Sequence, residues 1–236
     1  MSIAENFARV REQIENAARR AGRNPNEVTL VAVSKTFPPE AILEAHAAGA
    51  RELGENRVEE AGEKITAVNR ALGAQKPRWH LIGHLQRRKT RDAVKVFDVI
   101  QSVDSLRLAE TIHRAAGEVS KQMPILLQVN VGNDPNKFGF DLNAREAFLR
   151  EVEKIVGLKH VRVEGLMTIG PLVSTADEAR PFFRDLRILR DALRQNFPNA
   201  RWDELSMGMT DDYAVAIEEG ATIVRIGRAI FGQRNA

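Results

Sequence analysis

The run LVAVSKTF at residues 30–37 brings a string of apolar residues to an end at a lysine. Side chains on an extended chain alternate with a period of two, so Thr29, Val31, Val33 and Lys35 share one face. An ammonium on a buried face costs free energy unless it has a partner or a chemical task. A second run, TIVRIGR at 222–228, places Arg225 on one face with Ile223 and Gly227. Two cations in one concave mouth lower each other's affinity for protons. A lysine depressed in this way is nucleophilic and forms an imine with an aldehyde. The alternative for Lys35 is a lysine that snorkels to the rim of its strand.

A third stretch, SMGMT at 206–210, leads directly into the helical pattern DDYAVAIEEG. Gly208 permits close backbone approach, Ser206 and Thr210 supply hydroxyls, and Thr210 is a natural N-cap. Exposed amides at a helix start bind phosphate, and the RIGR turn offers a second glycine beside them. A capped helix and an ordinary tight turn account for the same residues. Asp211 and Asp212 oppose an anion there unless they face outward. Asn56, His84, Asn130, Met167 and Thr168 also fall just after apolar runs. His80 and His84 are four apart, but a strand and turn separate them, so no metal site is expected. Met207 and Met209 read as packing residues. The basic cluster QRRKTR at 86–91 has no interleaved aromatic and reads as a solvated face, so no nucleic-acid partner is expected.

These residues are positioned by a regular beat of elements. Strand patterns fall at 28–34, 51–54, 79–83, 98–103, 124–131, 161–167, 202–206 and 222–226. Helical patterns fall between them at 39–48, 57–72, 85–96, 105–121, 142–156, 175–195 and 211–219, with a final short run at 229–233. Pro181 predicts a late start or a kink in the sixth of these. An earlier helix is marked by Phe7, Val10, Ile14 and Ala17, with Ser2 and Glu5 as a capping box and Gly22 as its stop. Strands separated by helices pair in parallel with right-handed crossovers. The choice is an open doubly wound sheet or a closed barrel. Eight strands, and SKTFPP where a G-x-G-x-x-G would stand, favour a single (β/α)8 TIM barrel over residues 1–236. Function would gather at the C-terminal ends of its strands.

Composition narrows the classes further. With 43% hydrophobic and 28% charged residues the chain reads as an ordinary globular protein, and a net charge of +3 is too small to argue for nucleic acid. There is no cysteine, which excludes disulfides, thiolate metal sites and cysteine nucleophiles. No apolar stretch reaches the ~18 residues of a membrane span, and the N-terminus lacks a signal-peptide core. The expectation is a cytoplasmic protein with no membrane partner.

In order along the chain stand LVAVSKTFPPEAI, ELGENRVEEAGEK, WHLIGHLQRRK, LLQVNVGNDPNKFGF, VEGLMTIG and ELSMGMTDDYAVAIEEGATIVRIGRAIFG. This set, from about residue 28 to 232, resembles the pyridoxal phosphate homeostasis proteins, the single-domain relatives of the alanine racemase barrel. The resemblance implies an alanine racemase N-terminal-domain-like barrel with an extra N-terminal helix. It implies pyridoxal 5′-phosphate carried as an aldimine on Lys35. The phosphate would be held by Ser206 and Thr210, with the backbone around Met207, Gly208, Gly227 and Arg228. Arg225 would face the pyridine nitrogen and Asn56 would lie near the ring. His84, Met167 and Lys137 match motif positions at or near the mouth. Thr210 stands where serine is common, and Arg88 where asparagine is expected. The resemblance implies a protein that buffers or delivers the cofactor, a monomer making transient contact with apo-enzymes, rather than a catalyst. An amino-acid racemase is the alternative from the same barrel, and a lysine-imine aldolase acting on a sugar phosphate is a third. Racemase relatives bring a tyrosine from a further C-terminal domain. The chain ends at Ala236, just past the eighth strand, so that domain is expected to be absent. Its one tyrosine, Tyr213, reads as a packing residue.

Overall fold

The computed structural model describes residues 1–171 and 173–233. Its strands are β1 (Thr29–Val33), β2 (Glu52–Glu55), β3 (Arg78–Leu81), β4 (Val99–Val103), β5 (Met123–Gln128), β6 (Val161–Met167), β7 (Glu204–Ser206) and β8 (Ile223–Ile226). They pair in parallel in sequence order, and β8 closes on β1. Around this barrel lie α2 (Pro39–Ala47), α3 (Val58–Leu72), α4 (Thr90–Val96), α5 (Leu106–Glu118), α6 (Arg145–Val156), α7 (Arg180–Asn196), α8 (Tyr213–Glu218) and α9 (Arg228–Phe231). They follow the additional N-terminal helix α1 (Ile3–Arg20). The eight-stranded barrel read from the alternation of elements is the fold.

The strands are rich in Val, Ile and Leu because both of their faces are covered. In β1, Leu30 and Ala32 join the large core between strands and helices, whereas Val31 points inward with Leu126, Met167 and Ile223. Burial of each of these Val, Leu, Ile and Met side chains stabilises the fold by about 1.5–3 kcal/mol. The interior apolar cluster is small because several inward positions carry polar groups, among them His80, Gln101, Ser206 and Arg225, all buried.

The capping box of α1 forms in both directions, with Ser2 Oγ accepting from Glu5 N and Glu5 Oε2 from Ser2 N. Its apolar stripe of Phe7, Val10, Ile14 and Ala17 is buried against α2, α8 and α9. Several element boundaries differ from the sequence pattern. Residues 87–89 form a tighter 3-10 turn, so α4 begins only at Thr90. A 3-10 turn at 176–179 precedes α7, which places Pro181 in the first helical turn, where its missing N–H is tolerated. Thr210 is not the N-cap of α8. Asp212 holds that position, and its carboxylate accepts from Met209 N at 2.6 Å, which keeps 209–212 a turn.

Two glycines of opposite character test this packing. A Cβ at Gly165 would lie 1.9 Å from the Glu204 carbonyl oxygen across the β6–β7 pair, a collision with backbone. A Cβ at Gly62, inside α3, would meet nothing within 4 Å. In urea melts, Gly165→Ala is expected to destabilise by more than about 3 kcal/mol. Gly62→Ala is expected to stabilise by about 0.5–1 kcal/mol. Equal effects would contradict the close β6–β7 approach.

Candidate functional site

Lys35 follows β1 at the C-terminal mouth of the barrel, and the backbone on both sides of it is clamped. On one side Ser34 N donates to Gly54 O at 3.0 Å, and Ser34 Oγ donates to Glu55 Oε1 at 2.7 Å. Lys64 of α3 closes that cluster, donating to Ser34 O at 3.2 Å and Glu55 Oε1 at 3.0 Å. On the other side Thr36 N donates to Glu60 Oε1 at 2.7 Å. Thr36 has φ +69°, a left-handed conformation that a β-branched residue adopts only when its surroundings impose it. The motif ELGENRVEEAGEK therefore supplies the scaffold beneath the lysine: Glu55 from its strand, Glu60 and Lys64 from its helix.

On the neighbouring strand β8, in register with Val31, stands Arg225, 4% exposed. Its NH1 donates to Ser206 Oγ and its NH2 to Thr168 O, both at 2.7 Å, and its backbone N donates to Gly208 O at 3.0 Å. Burial pushes the guanidinium down to about 10, and the charge of Asp212 partly opposes this. Gly208, at φ +92°, is required: a Cβ there would lie 2.6 Å from Ala216 Cβ and 2.9 Å from Tyr213 Cα. The two acids that seemed to oppose an anion are both engaged. Asp211 takes a bidentate pair from Arg228 NH2 at 2.6 and 2.7 Å, and Asp212 binds the Met209 amide.

Between these walls lies a cavity of about 290 Å³, at the small end for ligand pockets. Lys35, Asn56, Thr210, Arg225, Gly227 and Arg228 all line it, with Val33, Ile82, Ile169 and Met209 as its apolar surface. A neighbouring cavity shares Lys35, Gly227 and Arg228 and extends past Phe37 toward Gly232. An amine, a guanidinium, a hydroxyl and a glycine turn thus face one small space.

The other predicted residues stand elsewhere. Ser206 lies beneath Arg225, fully buried, and donates to Gln101 Oε1 at 2.6 Å. Gly208 shapes the turn from behind the cavity, and Met207 packs in the outer core. Met167 is in the interior cluster below. His84 lines two outer clefts, stacked on Phe138 at 3.7 Å with Nδ1 3.1 Å from Asp104 Oδ2. Lys137 donates its amine to Gly170 O at 2.8 Å. Sequence reasoning missed the Ile82, Ile169 and Met209 walls and the inward pair His80 and Gln101, although strand parity at Leu81 and Ile100 marks that pair as inward. Among the described residues no group of three or more potential ligands could hold a metal ion, and no helix is long and apolar enough to cross a membrane.

Comparison with known proteins gives a consistent set of likenesses. The family of the alanine racemase N-terminal domain matches residues 6–235. A pyridoxal phosphate homeostasis protein of Aquifex aeolicus is 42% identical over 235 residues, 99% of each chain. PipY of Synechococcus elongatus, solved without PLP, superposes with a TM-score of 0.87 at 42% identity, covering 98% of this chain and 100% of that one. PipY with PLP bound gives 0.84 at 41% identity, with the same coverage. An alanine racemase of Clostridium difficile, 14% identical with a TM-score of 0.73, shares the fold over 96% of this chain and 60% of its own.

The clamp beneath Lys35 has a measurable signature. Burial raises the Glu55 carboxyl above its ordinary 4.5, against the hydrogen bond from Ser34 and the charge of Lys64. The folded state then binds this proton more tightly than the unfolded chain, so stability falls as pH rises from the ordinary value through the raised one. Glu55→Gln keeps an acceptor for Ser34 and Lys64 without titrating. Urea melts are expected to show wild type losing stability relative to this variant across that window. A constant difference from about pH 4 to 8 would mean that Glu55 titrates normally.

Proposed function

The chain belongs to the alanine racemase N-terminal-domain family, among the pyridoxal phosphate homeostasis proteins, and we propose on that footing that it binds pyridoxal 5′-phosphate at Lys35 and buffers or delivers it. One observation carries this: Lys35, Thr210, Gly227 and Arg225 line the same cavity. The residues present fit the group. An amine stands at one wall for a carbonyl carbon. The same cavity presents the hydroxyl of Thr210 and the turn at Gly227, where a Cβ would come within 3.2 Å of Val33 O. Asp211 also lines the cavity and accepts from Arg228 NH2, so an anion entering beside Thr210 meets a paired carboxylate.

Bound there, pyridoxal phosphate supplies an aldehyde that condenses reversibly with an amine. The protein's own groups do the rest. Lys35 presents its amine from a backbone fixed at Ser34 and Thr36. Thr210 and the backbone of Gly227 and Arg228 would hold the phosphate, while Ser206 and Gly208 would support that wall. Arg225 would hold a positive charge toward the ring nitrogen, which would disfavour protonation of that nitrogen and restrain carbanion chemistry. Asn56, which lines the cavity, would lie near the ring. Met167 floors the barrel below, Met207 packs behind the turn, and His84 borders the approach.

Carriage rather than turnover is favoured by the fate of the tyrosine. Tyr213 is buried and donates its hydroxyl to Gln13 of α1 at 2.5 Å, so it does not stand at the cavity as a second base. On this reading the protein is a cytoplasmic monomer that meets apo-enzymes transiently.

Mass spectrometry after borohydride reduction tests the assignment. A cofactor adduct on the Lys35 peptide is expected, absent in Lys35→Ala. An adduct retained in that variant on another lysine, such as Lys137, would contradict it. In loaded protein, Arg225→Gln is expected to shift the pH dependence of the cofactor absorbance; an unchanged titration would mean that Arg225 does not face the ring. Amino-acid racemisation above the rate of free cofactor, lost in Lys35→Ala, would favour an enzyme over a carrier.

A further inference from the structure

A chain of buried hydrogen bonds crosses the barrel beneath the cavity. It starts at Arg225 on β8, whose NH1 donates to Ser206 Oγ on β7 at 2.7 Å. Ser206 Oγ is 2.6 Å from Gln101 Oε1 on β4, so the chain spans the barrel interior between β7 and β4. Gln101 Nε2 is 2.8 Å from His80 Nδ1 on β3, and His80 Nε2 is 2.5 Å from Glu52 Oε2 on β2. Gln101, Ser206 and His80 are all at most 1% exposed. Glu52, at the opposite end of the barrel from Lys35, retains 24% side-chain exposure.

A guanidinium only donates and a carboxylate only accepts. With the Gln101 amide placed Oε1 toward Ser206 and Nε2 toward His80, every bond between those ends runs one way. Ser206 accepts from Arg225 and donates its hydroxyl hydrogen to Gln101 Oε1. The amide nitrogen of Gln101 then faces the imidazole, so His80 Nδ1 accepts and His80 Nε2–H donates to Glu52. Each group in the series turns its acceptor toward Arg225. Aligned dipoles of this kind polarise one another and favour a cation at the head of the chain. They act against the burial that drives the guanidinium toward loss of its charge.

We propose that Glu52, His80 and Gln101 are positioning residues for Arg225, fixing the rotation and charge of its guanidinium at the cavity wall from the far side of the barrel. The consequence for a bound ring rests on the assignment above that Arg225 meets the ring nitrogen. The chain itself does not depend on it.

Two measurements on cofactor-free protein test the chain directly. Long-range proton–nitrogen NMR with labelled histidine, His80 being assigned by its loss in His80→Asn, is expected to show a neutral ring with Nε2 protonated and Nδ1 bare. A ring protonated at Nδ1 would overturn the proposal. The Arg225 guanidinium is expected to give individually resolved Nη–H signals in wild type, averaged by rotation in Gln101→Met and Glu52→Leu and retained in Glu52→Gln, which keeps an acceptor. Signals unchanged in both broken-chain variants would overturn it. In protein loaded with pyridoxal phosphate, Glu52→Leu is expected to move the cofactor band in the direction of Arg225→Gln. It should also speed release by about 2- to 10-fold, the weight of one hydrogen bond. A Glu52→Leu band and release rate equal to wild type would remove the positioning role even with the chain intact. Failure of wild type to take up the cofactor would sink the binding assignment and leave the two cofactor-free measurements to decide the chain.

Discussion

A guanidinium buried at the end of β8 governs much of this molecule's interior. Removing a charge from water costs several kcal/mol unless hydrogen bonds replace the lost hydration. The barrel supplies that replacement with a hydroxyl, a backbone carbonyl and a polar series reaching to Glu52, at the expense of inward positions that would otherwise be apolar. The interior apolar cluster is correspondingly small, and stability rests on the shell between strands and helices, where Trp79, Phe97, Phe183 and Trp202 are fully buried. The polar interior thus lies beneath the mouth, and the apolar mass lies outside the barrel wall.

The lysine is held by a different device. Its side chain reaches the cavity while the residues before and after it are tied to β2 and α3. The left-handed Thr36 marks where the chain bends away from the barrel axis to make that possible, a strain of order 1–3 kcal/mol. Amine and guanidinium are thus fixed by separate networks, one outside the barrel wall and one within it. A reversible carrier benefits from such an arrangement, because affinity comes from preorganised walls that need no rearrangement when the ligand leaves.

Much of this was legible beforehand, for identifiable reasons. Alternating apolar runs and amphipathic stretches fixed the barrel, and period-two parity placed Lys35 and Arg225 in the same mouth. Ser2 and Glu5 announced the cap of α1. What could not be read was how polar groups divide between neighbours. Thr210 had the composition of an N-cap, but the helix begins after Asp212, whose carboxylate accepts from the Met209 amide within the preceding turn. Ser206 had the look of a ligand-facing hydroxyl, yet it lies under Arg225 because β7 turns it inward. His84 follows its strand toward the mouth, but Asp104 and Phe138 hold it in an outer cleft. Such outcomes depend on contacts between strands distant in sequence, which periodicity does not encode.

Pyridoxal phosphate homeostasis proteins are relatives of this chain, and an alanine racemase at 14% identity shares the fold. A shared barrel does not decide function, which lies in the groups at the cavity. A crystal structure of the protein incubated with pyridoxal phosphate and reduced in place bears on this most directly. Density should run unbroken from Lys35 Nζ into the ring, with the phosphate against Thr210 and the Gly227 turn and the ring nitrogen toward Arg225. Density attached to another lysine, or a ring lying outside the cavity with Arg225 unengaged, would contradict the site described above.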